Sequence, residues 1–391
     1  MKEKRLLIFN PEHDLALANG DPHFMPPASA TAFANDCAWL PIWLYGKGLL
    51  LCQEKEVPEP FARLCQLLNL NPTLITSTEL AETSITQVLP WGWNPLLRQQ
   101  LLTCGVSADI LPTTTDLENI KMLSHREKAR EAMLWIHKNS AKPETLPQAA
   151  VALQSVNEAT EFLLQNPEAV FKAPLSGSGR GVRWGREKLD THLSGWIQNV
   201  IKKQGAVYAE KRMKVIQNFA AEFHCQKEVT FAGYSLFKTK NAVYEGNFLL
   251  SDAQIENHLA QWISINELHH YLFCLKDFLT KHFLGKYYGF LGVDMFVYQE
   301  NDNFRINPVV EINTRTTMGC LARLFYDKFV SPSSHGFLSV CYLPQQKNSH
   351  HNLQNFSDLE IENGKIKNGT ISLSPMYKNS SYQVIVNVKK E

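Results

Sequence analysis

The chain lacks most of the features that would assign it quickly. It has no excess of charge: 39 Lys plus Arg against 38 Asp plus Glu leave a net charge of +1. So even a balance gives no electrostatic reason to expect nucleic acid or an anionic membrane as partner, although a local basic patch can still grip an anion. There is no C-x-x-C pair among Cys37, Cys52, Cys65, Cys104, Cys225, Cys274, Cys320 and Cys341. That removes the zinc ribbon and the dithiol redox motif. Most of these cysteines have apolar neighbours, as reduced core thiols do. No apolar window approaches the ~20 residues that a membrane helix needs. The start, MKEKRLLIFNPEHD, carries positive charge, but its apolar run is too short for a signal-peptide core. A reducing, cytoplasmic setting is the expectation. Internal repeats and low-complexity tracts are missing as well.

What is present is enough apolar material for a large fold. The 391 residues are 44% hydrophobic and 20% charged, which suits two or three structural units. Residues 5–9 read as a first buried strand ending in NPEHD, and residues 87–90 as another ending in WGWN. Between them an Ala-rich helix carrying Trp39 and Trp43, a strand at 48–52, a helix at 61–68 and a strand near 74–75 alternate with short connections. That alternation predicts a small parallel α/β unit to about Pro112. Asn10, Glu12, His13, Asp14, Trp91, Trp93 and Asn94 then fall beyond strand ends, where open α/β sheets bind ligands. Capping by Asn10 or Asp14, and plain packing by the tryptophans, are the competing readings.

Two stretches carry chemistry. Residues 289–318 read as strand, polar turn near Asp302 and returning strand. Glu311 and Asn313 lie two apart and share a strand face. Folding back brings Asp294 opposite or nearly opposite Glu311, with Pro308 suited to an edge or a bulge. Two carboxylates and an amide oxygen suit Mg²⁺ better than Zn²⁺. The second stretch is EAVFKAPLSGSGRGV, residues 168–182. Lys172 stands on a short strand, and Gly177, Gly179 and Gly181 alternate with Ser176, Ser178 and Arg180. Such glycines let backbone N–H groups approach a phosphate. No Gly-Lys-Ser/Thr follows, so it is not a P-loop.

In order along the chain, the Lys172 strand, SGSGRGV, VYAEKRM, AAEF and GVDMF…VVEINTRT resemble the ATP-grasp superfamily, in particular its carboxylate–amine ligase branch, which includes D-alanine–D-alanine ligase. The likeness covers about residues 112–318. It implies an α/β pre-ATP-grasp domain at 1–112, a lid and hinge region at 113–250, and a C-terminal subdomain with metal hairpin and β tail at 251–391. The implied fold class is α/β, α+β within the grasp. The strands expected near 219–224, 229–237 and 242–248 would belong to the lid. The resemblance assigns ATP with Mg²⁺ or Mn²⁺ as cofactors. Lys121 and Lys172 would meet phosphates, with Ser176, Gly177, Ser178, Gly179 and Gly181 closing over them. Glu210, Lys211 and Met213 would form the adenine hinge, and Glu222 would bind the ribose. Asp294, Glu311 and Asn313 would hold the metal. Arg315 and Arg180 would stabilise the transferring phosphoryl group or the substrate carboxylate.

The implied reaction activates a small-molecule or peptide carboxylate as an acylphosphate for an amine acceptor. A kinase-like phosphotransferase and a non-catalytic nucleotide-binding protein are the alternatives. A homo-oligomer is left open; nucleic acid and membrane are not expected. Two departures matter. Gly292 stands where ligases like the D-alanine enzyme carry an arginine, and TRTTMG after Asn313 differs from that enzyme's substrate turn.

Overall fold

The computed structural model describes residues 4–177, 181–240, 243–343 and 358–390. Ser178, Gly179 and Arg180 lie outside the described residues, as does the polar stretch at 345–355.

The chain opens with β1 (Arg5–Ile8), α1 (His13–Asn19), α2 (Ala28–Asp36), α3 (Leu40–Tyr45), β2 (Lys47–Leu51), α4 (Glu59–Leu67), β3 (Asn71–Ile75), β4 (Gln87–Pro90) and α5 (Pro95–Thr103). The four strands pair in parallel in the order β3-β2-β1-β4. The expected single helix through Trp39 and Trp43 is two helices. Pro41 sits in the first turn of α3, where its missing N–H costs nothing, and a continuous helix could not hold it.

A linker leads to α6 (Thr114–Leu123) and α7 (Arg126–Asn139). Thr113 caps α6 in a reciprocal box with Asp116. The two helices are separated by a break at Ser124–His125. The Ser124 hydroxyl donates to the Ile120 carbonyl at 2.8 Å, and His125 Nδ1 accepts the Glu127 N–H at 3.1 Å. Next come β5 (Val151–Leu153), α8 (Val156–Gln165), β6 (Glu168–Lys172), β7 (Val182–Arg186), α9 (Thr191–Gln204) and β8 (Val207–Lys211). Their strands form a small antiparallel sheet, β5-β8-β6-β7.

The rest builds one large sheet from β9 (Lys214–Cys225), β10 (Val229–Lys240), β11 (Val243–Leu249), β12 (Gly289–Glu300), β13 (Asn303–Asn313), β14 (Ser334–Tyr342), β15 (Glu360–Glu362), β16 (Lys365–Ser372) and β17 (Tyr382–Lys390). Its order is β13-β12-β9-β10-β11-β14-β17-β16-β15. The helices α10 (Asp252–Leu259), α11 (Ile265–His282) and α12 (Met318–Phe329) interrupt it; the first lies in a segment expected to be a plain connection. This topology corrects one expectation. The strands β9, β10 and β11 share their sheet with the acidic hairpin, not with the Lys172 strand.

Strand alternation decides where the core and the site lie. Phe219, Ala221 and Phe223 of β9 and Leu291, Val293 and Met295 of β12 are buried against α7, α10 and α11 in one apolar cluster. Their even-numbered neighbours Ala220, Glu222 and Asp294 must then face the other side. That side lines a cavity.

Candidate active site

The cavity has a volume of about 600 Å³. Its floor is a row of facing residues on the large sheet. Asp294 pairs directly with Glu311 and, on its other side, with Ala220. Gly292 pairs with Asn313 and with Glu222. The register shifts between Asp294 and Phe296, opposite the stretch that contains Pro308. Proline cannot donate to the ladder, so edge strand β13 bulges there. The turn closes at Asn301, whose φ of 53° is left-handed.

Burial pushes the Asp294 carboxyl up to about 7, and the neighbouring Glu311 carboxylate adds to the shift. Two acids this close favour a bound cation. Arg126 supplies part of it. Its Nη2 lies 3.3 Å from Glu311 Oε1, its Nε donates to the Ala173 carbonyl at 2.9 Å, and its backbone N–H donates to Pro174 at 3.0 Å. The helix break at Ser124–His125 puts Arg126 at the start of α7, where it spans the end of β6 and the acidic hairpin. The residue after Lys172 and the acid pair therefore meet across one guanidinium.

Arg315 is held by Asp14. Its Nε donates to both Asp14 oxygens at 2.9 and 3.0 Å, and its Nη2 donates to Asp14 Oδ2 at 2.8 Å and Asn313 Oδ1 at 3.2 Å. Burial alone would raise the Asp14 carboxyl; Arg315 outweighs it and holds the acid below its usual range. The Asn10 amide donates to the Gly92 carbonyl at 2.8 Å, and the Gly92 N–H donates back to Asn10 Oδ1 at 3.2 Å. The Thr316 N–H donates to the Trp91 carbonyl at 2.8 Å. These bonds join NPEHD, PWGWN and the TRTT segment at one edge. The Asn10 and Asp14 side chains are therefore not caps; Asn94 is one, accepting the Leu97 N–H at 2.9 Å. Burial lowers the His13 imidazole to about 4, so it is neutral near pH 7.

Glu222 is 1% exposed and lies one strand from the acid row, opposite Gly292. The Ser235 and Thr317 hydroxyls each donate to it at 2.9 Å. Burial pushes its carboxyl up to about 7 against the pull of those hydroxyls. The glycine at 292 gains a physical reason here. A Cβ at that position would come within 2.8 Å of Glu222 Oε2 and of Thr317 Cγ2. Gly319 gives the same clearance on the other side of the carboxylate. Along β9 the hinge lies toward Lys214, on the far side of Ala220 and its partner Asp294.

The other expected residues divide. Ser176 and Gly177 line the cavity, and a Cβ on Gly177 would come within 2.6 Å of Asp14 Cβ. Gly181 returns the loop, its carbonyl accepting the Ala173 N–H at 2.8 Å. Gln204 fixes the loop start, accepting the Leu175 N–H at 2.8 Å. Lys172, 6% exposed, does not line the cavity; it donates to both oxygens of Glu210 at 2.8 Å. Glu210 lines a separate crevice of only about 10 Å³ that Arg126 also borders. Lys211 is exposed and pairs with Glu300 at 3.0 Å, and Met213 is half-buried. Lys121 is not in the cavity wall at all. A Cβ on Gly20 would come within 2.9 Å of its ammonium, which places Lys121 at the C-terminal end of α1. The cation at the acid row is Arg126.

No protein-family model matches the chain, and a sequence comparison with curated proteins finds no match. The fold does have counterparts. A biotin carboxylase from Campylobacter jejuni, solved as a β,γ-ATP complex, matches 99% of this chain and 87% of its own, at 12% identity and a TM-score of 0.54. N5-carboxyaminoimidazole synthetase from Staphylococcus aureus, complexed with ADP, matches 100% and 94%, at 10% identity and a TM-score of 0.51. These matches show a shared mixed α/β fold. Pyruvate carboxylase from Rhizobium etli matches 100% of this chain over 36% of its own length, at 11% identity and a TM-score of 0.55. All three are carboxylases or synthetases, and D-alanine–D-alanine ligase is not among them. Among the described residues no helix is long and apolar enough to cross a membrane. All eight cysteines are free.

Proposed function

We propose that this chain is an ATP-dependent ligase that activates a carboxylate as an acylphosphate and joins it to an amine. One observation carries the reading: Asp294, Glu311 and Asn313 face Arg126, Arg315 and the Ser176–Gly177 turn across a single cavity. ATP-grasp enzymes share the fold, which is consistent with it.

The acid row fits a divalent ion. Among the described residues no three His, Cys, Asp or Glu side chains are placed to hold a metal ion by themselves, so the amide of Asn313 is part of the donor set. Two carboxylates and an amide oxygen are hard donors, and the raised Asp294 carboxyl marks charge that Arg126 leaves uncompensated. Asp294, Glu311 and Asn313 would hold Mg²⁺ or Mn²⁺, which when bound supplies positive charge for phosphate oxygens.

In this reading the small sheet β5-β8-β6-β7 is the lid, and Lys172 and its glycine loop close on the nucleotide. Glu210, Lys211 and Met213 bound the adenine. The crevice beside Glu210 is too small for a base, so the lid must open to admit it. Lys172 then exchanges its bond to Glu210 for one to a phosphate. The substrate carboxylate oxygen forms a bond to the γ-phosphorus as the bond to ADP breaks. The amine nitrogen next bonds to the acyl carbon, phosphate leaves, and the nitrogen loses a proton. Arg126 and Arg315 stabilise the anionic oxygens, which is where catalysis of phosphoryl transfer lies. A closed lid keeps water from the acylphosphate.

The test is ADP release from pooled carboxylates and amines with Mg²⁺, with hydroxylamine added to trap an activated acyl group. An acyl hydroxamate is the expected product. ADP release onto a hydroxyl acceptor with no hydroxamate would replace the ligase with a phosphotransferase.

A further inference from the structure

The two ends of the cavity differ. Across the large sheet the lining runs from Asp294 and Glu311, through Glu222, to Ser235, Phe237, Thr239, Tyr244 and Asn247 of β10 and β11, and on to Val340, Tyr342 and Tyr382. Strands lie about 5 Å apart, so the lining extends over roughly 20 Å beyond Glu222 along the sheet. The charged residues that line it are Asp14, Arg126, Glu222, Asp294, Glu311 and Arg315, all at the acid-row end. The far end is aromatic. Phe9 meets Phe33 and Trp91 with centroids 5.2 and 4.9 Å apart, and Tyr382 meets Phe33 and Tyr342, both at 5.2 Å. Tyr342 is 65% exposed and stands at the mouth.

Glu222 lies between the two ends. Arg315 is committed to Asp14, and Arg126 to Glu311 and Ala173. Among the described residues no ion pair to Glu222 is present; its partners are two hydroxyls. Two glycines leave it the room that any side chain would take. A desolvated carboxylate with no cation is costly, and a ligand that brings one is bound by what it relieves.

We propose that the acceptor is a primary amine with an aromatic or bulky apolar body. Glu222 receives its ammonium group, and Phe9, Phe33, Trp91, Tyr342 and Tyr382 hold the body. This rests on the ligase reading and names the acceptor's chemical class. The amine nitrogen then waits one strand from the acid row, where the acylphosphate forms, and the aromatic wall reads the remainder.

The probes are benzylamine, benzyl alcohol and ethylamine, titrated into the full chain with MgADP and followed by calorimetry. Benzylamine is expected to bind at least about tenfold tighter than either of the others, which lack the charge or the ring. Glu222→Gln should abolish the preference for amine over alcohol, and Phe33→Leu should shrink only the preference for benzylamine over ethylamine. Equal binding of benzylamine and benzyl alcohol by the wild type overturns the proposal even if Glu222→Gln does not fold. An unchanged amine affinity in folded Glu222→Gln overturns it too, as does an altered Mg²⁺ titration there in place of altered amine binding. ATP affinity measured in parallel separates the two readings. No ATP binding sinks the ligase, whereas ATP binding without amine selectivity sinks this inference alone.

Discussion

Asp294 and Glu222 lie one strand apart on the same face of the large sheet, and both carboxyls are pushed up to about 7. Burial is the first cause for each. They differ in the second. Asp294 faces the Glu311 carboxylate across β13, whereas Glu222 is bonded by neutral hydroxyls. A pair of like charges calls for a divalent ion; a lone desolvated charge suits a monovalent one. Two acids with the same shift can thus point to different ligands, and the cause of the shift separates them.

The largest effect should come from breaking the pair. Glu311→Ala removes one proposed metal donor and the partner of Arg126 at once. ADP formation should fall by about 10³-fold or more while circular dichroism stays unchanged. Turnover near the wild-type level would remove the metal assignment. Lys172→Ala comes next, with ATP affinity weakened by about 10–100-fold in calorimetry. The substitution also strands the Glu210 carboxylate, so the comparison belongs at a temperature where both proteins are folded. Equal ATP affinity would mean that Lys172 serves Glu210 alone.

Stability sharpens the comparison further. A carboxyl raised in the folded state makes the native protein bind more protons than the unfolded chain. Its contribution is therefore complete below about pH 4.5 and is lost as pH rises toward about 7. Without metal, Asp294→Asn and Glu222→Gln should each melt higher than wild type at pH 8, by on the order of 1–3 kcal/mol, and converge with it near pH 4. Added Mg²⁺ should then stabilise the wild type and Glu222→Gln but not Asp294→Asn. An equal response of all three to Mg²⁺ would erase the difference between the two acids.

Strand period made the acid row legible in sequence. Residues two apart on β13 share a face, so Glu311 and Asn313 were readable, and the turn near Asp302 brought Asp294 to them. The parallel sheet was readable from alternation alone. Sheet membership was not. β9, β10 and β11 look alike wherever they pair, and only long-range pairing with β12 and β14 assigns them to the large sheet. Glu222 was singled out only by the resemblance, and its partners Ser235 and Thr317 lie on other elements that its local sequence does not reveal. The Asp14–Arg315 pair joins residues about three hundred positions apart, and neither local sequence carries a sign of the other. The aromatic wall was invisible in the same way, since Phe33 and Tyr382 meet only in the fold.

The smallest expected effect tests a helix break. Read as one continuous helix, residues 114–139 offer Lys121 and Arg126 equally to a phosphate. The break at Ser124–His125 separates them: Arg126 turns to Ala173 and Glu311, and Lys121 goes to the end of α1. A cation at a helix C-terminus is worth about 0.3–1 kcal/mol. Lys121→Ala should therefore change ATP affinity by less than about twofold. Arg126→Ala should weaken it clearly and also free Glu311. If instead Lys121→Ala costs as much as Arg126→Ala, the lysine must reach the nucleotide from its place beside Gly20. The end of α1 would then have to move on binding, carrying Asp14 away from Arg315.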